Sequence, residues 1–293
     1  MAVNQQSAAP RTATPTLPEA AVVRVEGLQA HYGPRQILHD IDLAVRPGEI
    51  MVIMGGSGSG KSTLLRHLVG LLRPTAGRIE LLGVDITRAR AQEMVRLRRK
   101  IGVAFQGGAL FSSMSVLDNI MLPLREHTRL DRKTMEIMAR LKLEVVNLAG
   151  ADALMPAELS GGMLKRAAVA RAIVMDPLLL FFDEPSAGLD PVVSSALDEL
   201  ILKLRDAMNM TMVVVTHELE SAFRIADRIT VLDEGRILTI DDVAGLRRST
   251  NRQVQNLLNR RADAPVVDAE SYLQRLTGEP LSKDVPDAGA EAR

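Results

Sequence analysis

Gly55-Gly-Ser-Gly-Ser-Gly-Lys-Ser62 decides how this chain is read. It fits G-x-x-x-x-G-K-[ST] with every fixed position filled. Ahead of it, Ile50-Met-Val-Ile-Met54 is the short apolar run expected of a buried parallel strand. Behind it, Leu64, Leu65, Leu68 and Leu72 recur at helical spacing until Pro74 closes the segment. Strand, glycine loop and helix together turn a helix N-terminus into an anion site. The glycines let successive N–H groups point inward at phosphate oxygens. Lys61 would reach the outer phosphates, and the Ser62 hydroxyl would ligate magnesium. The loop therefore predicts a bound nucleoside triphosphate.

Composition narrows the remaining possibilities. A chain of 293 residues carries a prior of about two domains. Its 46% hydrophobic and 25% charged residues describe an ordinary globular protein. Thirty-six basic and 36 acidic residues cancel, so no overall field gathers nucleic acid. With no Trp and two Tyr, a base-stacking platform is disfavoured too. The absence of cysteine rules out disulfides, thiolate metal sites and a cysteine nucleophile. No apolar run approaches bilayer length; residues 178–182 are among the longest. Residues 1–20 lack a secretory apolar core and are expected to form a disordered leader. The expected location is cytosolic, or on a membrane only through a partner.

Taken in order, strands are expected at 22–26, 36–45, 50–54, 77–82, 101–105, 178–182 and 212–216. A final hairpin at 228–232 and 236–240 turns at Asp233-Glu-Gly235. Ala30-His-Tyr-Gly-Pro34 reads as a turn, with Tyr32 either a plain loop aromatic or a flat face for a purine. A helix over 88–99 ends in Arg96, Arg98, Arg99 and Lys100, the ordinary complement to a helix dipole and only secondarily a contact for acidic lipid. From 107 to about 157 the pattern becomes helical, with Met135, Met138, Leu141 and Val145 in register, as a helical insertion between strands. Asp190-Pro191 reads as a capped helix start, leading to Val193, Leu197, Leu200, Ile201 and Leu204. Past 245 the pattern weakens to possible short helices around Val254, Leu257 and Leu258 and around Tyr272, Leu273 and Leu276, and 282–293 is expected to be disordered.

Two further clusters carry chemistry. Asp183-Glu184 ends an apolar strand, where a carboxylate lies beside the phosphate loop. Asp183 would hold the magnesium shell, and Glu184 is the better candidate for polarising the attacking water. Ser160-Gly161-Gly162 opens a helix and makes a second anion-binding N-terminus. One nucleotide does not need two such sites from one chain, so the second is expected to act on ATP held by another copy, in a head-to-tail dimer.

Tyr32, residues 55–62, Gln106, residues 159–163, Asp183-Glu184, Asp190 and His217, in that order, resemble the nucleotide-binding subunits of ABC transporters over about 21–245. The resemblance implies an α/β fold: a P-loop NTPase core of the ABC type with an antiparallel β subdomain and an inserted helical subdomain (about 107–175), followed by a partly helical tail from 246. It implies ATP and Mg2+ as cofactors. Gly55, Gly56, Ser57, Gly58, Ser59, Gly60, Lys61, Ser62 and Thr63 would cradle the nucleotide, and Tyr32 would stack on adenine. Ser62, Gln106 and Asp183 would serve the metal. Gln106 would also open the loop facing a membrane subunit, Asp190 would cross the dimer interface, and His217 would be the switch histidine. By itself, a histidine after a strand is more often structural. Lys61, Gln106, Glu184 and His217 form the expected catalytic set, with Ser160, Gly161, Gly162 and Asp190 on the nucleotide from across the dimer. Met163 departs from the commoner Gln, and a thioether cannot donate a hydrogen bond.

A narrower resemblance, in Phe105-Gln-Gly-Gly-Ala-Leu-Phe111, 119–128 and 155–171, is to the Mla (lipid-asymmetry, toluene-tolerance) transport ATPases of Gram-negative bacteria. It implies phospholipid as cargo, between inner and outer membranes. Implied partners are a second copy, an integral permease, a membrane-anchored lipid-binding subunit and a small regulatory subunit, with no nucleic acid and a peripheral place on the cytoplasmic face of the inner membrane. An importer for another small solute is the alternative. A soluble ABC-type ATPase of ribosomes or DNA is disfavoured by the single phosphate loop, the neutral charge and the lack of sustained heptads between Lys61 and Ser160.

Overall fold

The computed structural model describes residues 21–259. β1 (Val23–Tyr32) and β2 (Arg35–Val45) form a hairpin, and β3 (Ile50–Met54) runs through the loop into α1 (Lys61–Leu68). β4 (Ala76–Leu81), β5 (Val84–Asp85) and α2 (Ala91–Arg98) lead to β6 (Ile101–Ala104). Between β6 and β7 (Leu179–Asp183) come α3 (Val116–His127), α4 (Arg132–Val145), a 3-10 turn at Pro156–Glu158 and α5 (Gly161–Ile173). Then follow α6 (Pro191–Met208), β8 (Thr211–Val215), α7 (Leu219–Ile225), β9 (Arg228–Asp233) and β10 (Arg236–Asp241). The short helices α8 (Val243–Arg248) and α9 (Arg252–Leu258) end the described chain.

The strands form two sheets. A four-stranded antiparallel sheet has the order β2-β1-β4-β5, and a six-stranded one the order β10-β9-β3-β8-β7-β6. In the larger sheet β9, β3, β8, β7 and β6 are parallel, and β10 pairs antiparallel at one edge. Its central strands are buried on both faces, and residue parity assigns each side chain to a layer. Ile50, Val52, Met54, Leu180, Phe182, Met212 and Val214 pack with the helices α3, α5, α6 and α7. Met51, Ile53, Leu179, Phe181, Val213 and Val215 pack with the antiparallel sheet and α1. Each central strand thus holds two cores together.

The sequence reading departs from the structure at several places. β1 continues through Tyr32, so the turn is confined to Gly33-Pro34. α1 stops at Leu68, before Leu72, and Gly70 carries the left-handed φ of 69° that ends the segment. On α4 the buried positions are Ala139 and Leu143, with Val146 just beyond, whereas Leu141 and Val145 are exposed beside Ile137. The helix has two apolar stripes, and the packed one is the stripe facing α3 and α5. Asp190 caps α6 as expected, accepting from Val192 N and Val193 N, both at 3.0 Å. α9 covers Val254, Leu257 and Leu258, and Val254 is fully buried. The leader at 1–20, the stretch around Tyr272 and the end at 282–293 lie outside the described residues.

One buried polar side chain organises the loop between β6 and α3. Asn119 is inaccessible; its Oδ1 accepts from Phe111 N at 2.7 Å, and its Nδ2 donates to the carbonyls of Phe111, Met114 and Ser115. Asn119→Ala takes their partner from Phe111 N and Met114 O, each costing about 1–3 kcal/mol, while the Phe111 and Ser115 carbonyls keep the N–H groups of Met114 and residue 119. A fall in thermal midpoint is the expected outcome, with loop 107–115 becoming the first segment to exchange amide hydrogens.

Candidate functional site

Four parallel strands deliver their C-terminal ends to one edge of the sheet. Ile53 of β3 and Asp183 of β7 both pair with Val215 of β8, and Ala104 of β6 pairs with Phe182. Loop 55–60, Asp183-Glu184, His217 and Gln106 therefore leave neighbouring strands on the same side, where ligands bind open α/β sheets.

The phosphate loop is shaped by close contacts. A Cβ on Gly55 would lie 2.1 Å from the Leu232 carbonyl oxygen, so only glycine fits. Gly60 caps α1 at φ 104°, which glycine alone adopts freely. Gly235, in the β9–β10 turn, donates its N–H to Ser59 O at 3.0 Å and braces the loop from outside. Lys61 is buried, and its Nζ donates to the carbonyls of Gly55 and Gly56 at 2.9 Å each. Desolvation lowers its pKa, opposed by attraction to Glu184 and Asp183. The ammonium and both carboxylates thus share one electrostatic site. Gly56, Ser57, Gly58 and Ser62 are exposed at the loop surface and Thr63 is half-buried.

Asp183 Oδ1 is buried without a hydrogen-bond partner, an arrangement that costs free energy unless a ligand completes it. Burial raises the Asp183 pKa and the neighbouring Glu184 raises it further, while Arg66, Lys165 and Lys61 oppose. A divalent cation would relieve both causes. The donor set of Asp183, Ser62 and exposed Gln106 is all oxygen, as magnesium requires.

Glu184 is 8% exposed, at a left-handed φ of 47°. Such a conformation costs a non-glycine residue about 1–3 kcal/mol and persists only when its surroundings impose it. Its N–H donates to Val215 O at 2.8 Å. Its Oε2 accepts from His217 N at 3.3 Å and pairs with His217 Nδ1 at 2.8 Å. The two residues, read separately in the sequence, are one hydrogen-bonded unit, with the imidazole on the exposed side.

A second group lies at the start of α5. Ser160 Oγ caps the helix, accepting from Met163 N at 3.3 Å, and Ser160 and Gly161 are exposed. Gly162 is buried, and a Cβ there would come within 2.6 Å of Val193 Cγ1, which packs α5 onto the start of α6 beside Asp190. Among the described residues no hydrogen bond joins Ser160 or Asp190 to loop 55–62. Tyr32 ends β1 opposite Arg35 with its ring about half exposed.

The structure adds residues the sequence did not single out. Lys165 is buried, with Nζ donating to Gln106 O and to Glu184 O. Arg171 donates to the carbonyls of Gly108 and Ala109 and fastens the loop after Gln106. In the sequence both look like solvated helix residues; only a basic side chain among small apolar ones, in Ala167–Ala172, hints otherwise.

Comparison with known proteins agrees with this architecture. A family model described as "ABC transporter" matches residues 38–187. The "Intermembrane phospholipid transport system ATP-binding protein MlaF" of Haemophilus influenzae is 40% identical over 258 residues, covering 87% of this chain and 98% of that protein. The "Probable ribonucleotide transport ATP-binding protein mkl" of Mycobacterium bovis is 38% identical over 257 residues, covering 88% of this chain and 72% of its own. Among solved structures, the dimeric post-hydrolysis state of the ATP-binding cassette MJ0796, bound to ADP and Pi, superimposes with a TM-score of 0.70 at 30% identity, over 75% of this chain and 98% of that one.

Fold and relatives together define an ATP-hydrolysing cassette with a P-loop NTPase core. The chain belongs to the ABC transporter family, as an ATPase that energises a transporter.

Proposed function

We propose that this ATPase drives a transporter moving phospholipid or a related lipid between the inner and outer membranes. One observation carries the cargo: identity to a phospholipid-transport ATPase over nearly the whole of both chains. The geometry carries the chemistry. Loop 55–63 holds the triphosphate with Lys61 on its outer phosphates, and Tyr32 offers an exposed ring to the adenine. Ser62, Asp183 and Gln106 would hold a magnesium ion, which would supply charge neutralisation to the phosphates. Glu184 accepts the proton of the attacking water, and His217 holds that carboxylate and faces the outer phosphate. Two copies close head to tail, so that Ser160, Gly161, Gly162 and Asp190 of one complete the site of the other, as the exposure of the α5 N-terminus favours.

The loop after Gln106 presents Phe111, 53% exposed, and is braced by Asn119 and Arg171. It is the surface offered to an integral permease, which the proposal places alongside a membrane-anchored lipid-binding subunit and a small regulatory subunit. Among the described residues no helix is long and apolar enough to cross a membrane; in this proposal the ATPase is attached through the permease at the cytoplasmic face. The mycobacterial relatives, whose name specifies ribonucleotide transport, favour a second reading with a different cargo on the same machinery. Affinity purification from membranes, with identification of the subunits and mass spectrometry of bound lipid, separates the two. Stoichiometric phospholipid in the co-purified complex is the expected result; a lipid-free complex that binds a small polar solute overturns the cargo assignment.

A further inference from the structure

Lys165 is a buried cation without a buried carboxylate bonded to it. Its side chain is 8% exposed, on α5 one turn beyond Gly161. Placing an ammonium there costs free energy, and desolvation lowers its pKa against the attraction of Glu184, Asp183 and Glu218. Both of its acceptors are main-chain oxygens, of Gln106 and, at 2.9 Å, of Glu184. A solvated or merely helix-stabilising lysine would reach neither.

We propose that Lys165 is a positioning residue for hydrolysis, a strut tying the start of α5 to the Glu184 and Gln106 peptides of its own protomer. This deepens the reading above and rests on its two assignments, Glu184 as base and Ser160-Gly161-Gly162 as cap of the partner's nucleotide. The left-handed backbone of Glu184 is held at the amide by Val215 O, at the carboxylate by His217 and at the carbonyl by a long 3.3 Å bond from Ala187 N and a shorter 2.9 Å bond from Lys165, the one side chain that reaches it. A shift of the α5 N-terminus as it meets phosphates across the dimer is transmitted along one helical turn to Nζ, and from there to the plane of the Glu184–Pro185 peptide. Closure of one site is thereby reported to the base of the other.

Lys61 makes its own bonds to Gly55 and Gly56, independent of the strut. Loss of Lys165 should therefore act on rate rather than on nucleotide affinity. Displacement of a reacting group by about 1 Å costs on the order of 100-fold in rate.

The test is ATP hydrolysis against ATP concentration, together with the melting temperature, for K165M and K165R in the transporter purified with its membrane subunits. For K165M, kcat is expected to fall at least about tenfold while half-saturating ATP moves less than about threefold. For K165R, whose guanidinium can donate to both carbonyls, kcat is expected to return to within about threefold of the parent. If K165M fails to assemble, K165Q replaces it and is expected to lose at least about fivefold in kcat. A kcat within twofold of the parent, a loss shared equally by kcat and ATP affinity, or a well-folded K165R that rescues nothing overturns the strut. Failure of the underlying reading is distinguishable, since it would appear as normal hydrolysis by E184Q, whatever Lys165 does.

Discussion

Glu184→Gln should bind ATP and scarcely hydrolyse it. The substitution conserves volume in a site that is almost closed to solvent, and the amide oxygen can still accept from His217 N. What it cannot do is take a proton from water. A positioned general base contributes about 10²- to 10⁴-fold, so hydrolysis should fall by that factor while ATP affinity stays within about threefold of the parent. With the chemical step blocked, nucleotide remains in place and the two copies stay together. Sedimentation in ATP should show a dimer that the parent protein forms only transiently. Hydrolysis by this variant at the parental rate would remove Glu184 from its role.

Lys61→Ala should fail earlier, at binding. The Lys61 ammonium is presented on the phosphate loop by two carbonyls, and its desolvation makes a bound phosphate a strong replacement partner. A hydrogen bond to a charged group contributes about 1.5–3 kcal/mol, so affinity for ATP should fall by roughly 10- to 100-fold. Calorimetric titration of ATP into parent and variant measures this directly. The contrast between the two variants is the useful result: one binds without turnover, the other loses the ligand. If Lys61→Ala binds ATP with parental affinity, the loop does not grip phosphate through this side chain.

Much of this was legible in the chain because the relevant signals are local. An apolar run closed by Gly55-Gly or by Asp183-Glu184 identifies both a strand and what stands at its end, and Asp190-Pro191 marks a helix cap without reference to anything distant. The misreadings fall where the deciding contact is remote. Leu141 and Val145 share a helical register with Met138, yet whether a stripe is buried depends on which face meets α3 and α5. β5 has two residues and exists only as a partner to β4, so it has no pattern of its own. Lys165 lies 59 residues from Gln106 and 19 from Glu184, and the small apolar run that follows it gives only a hint of burial and none of its partners. Likewise the pairing of Glu184 with His217 spans 33 residues and depends on adjacent strand ends. Local chemistry could be read; the couplings between sites could not.

The brace that Gly235 gives the phosphate loop has a consequence for synthesis. Gly55 leaves the ribosome 180 residues ahead of Gly235, whose turn holds its loop in shape. β3 waits equally long, because its two sheet neighbours are β8 and β9. Contacts of such long range form slowly and leave an unpaired hydrophobic strand exposed to chaperones in the meantime. A nascent polypeptide stalled before Arg228 should therefore be unable to retain ATP although every residue of the glycine motif has emerged, and this enzyme becomes competent only once β9 and the turn at Gly235 have followed.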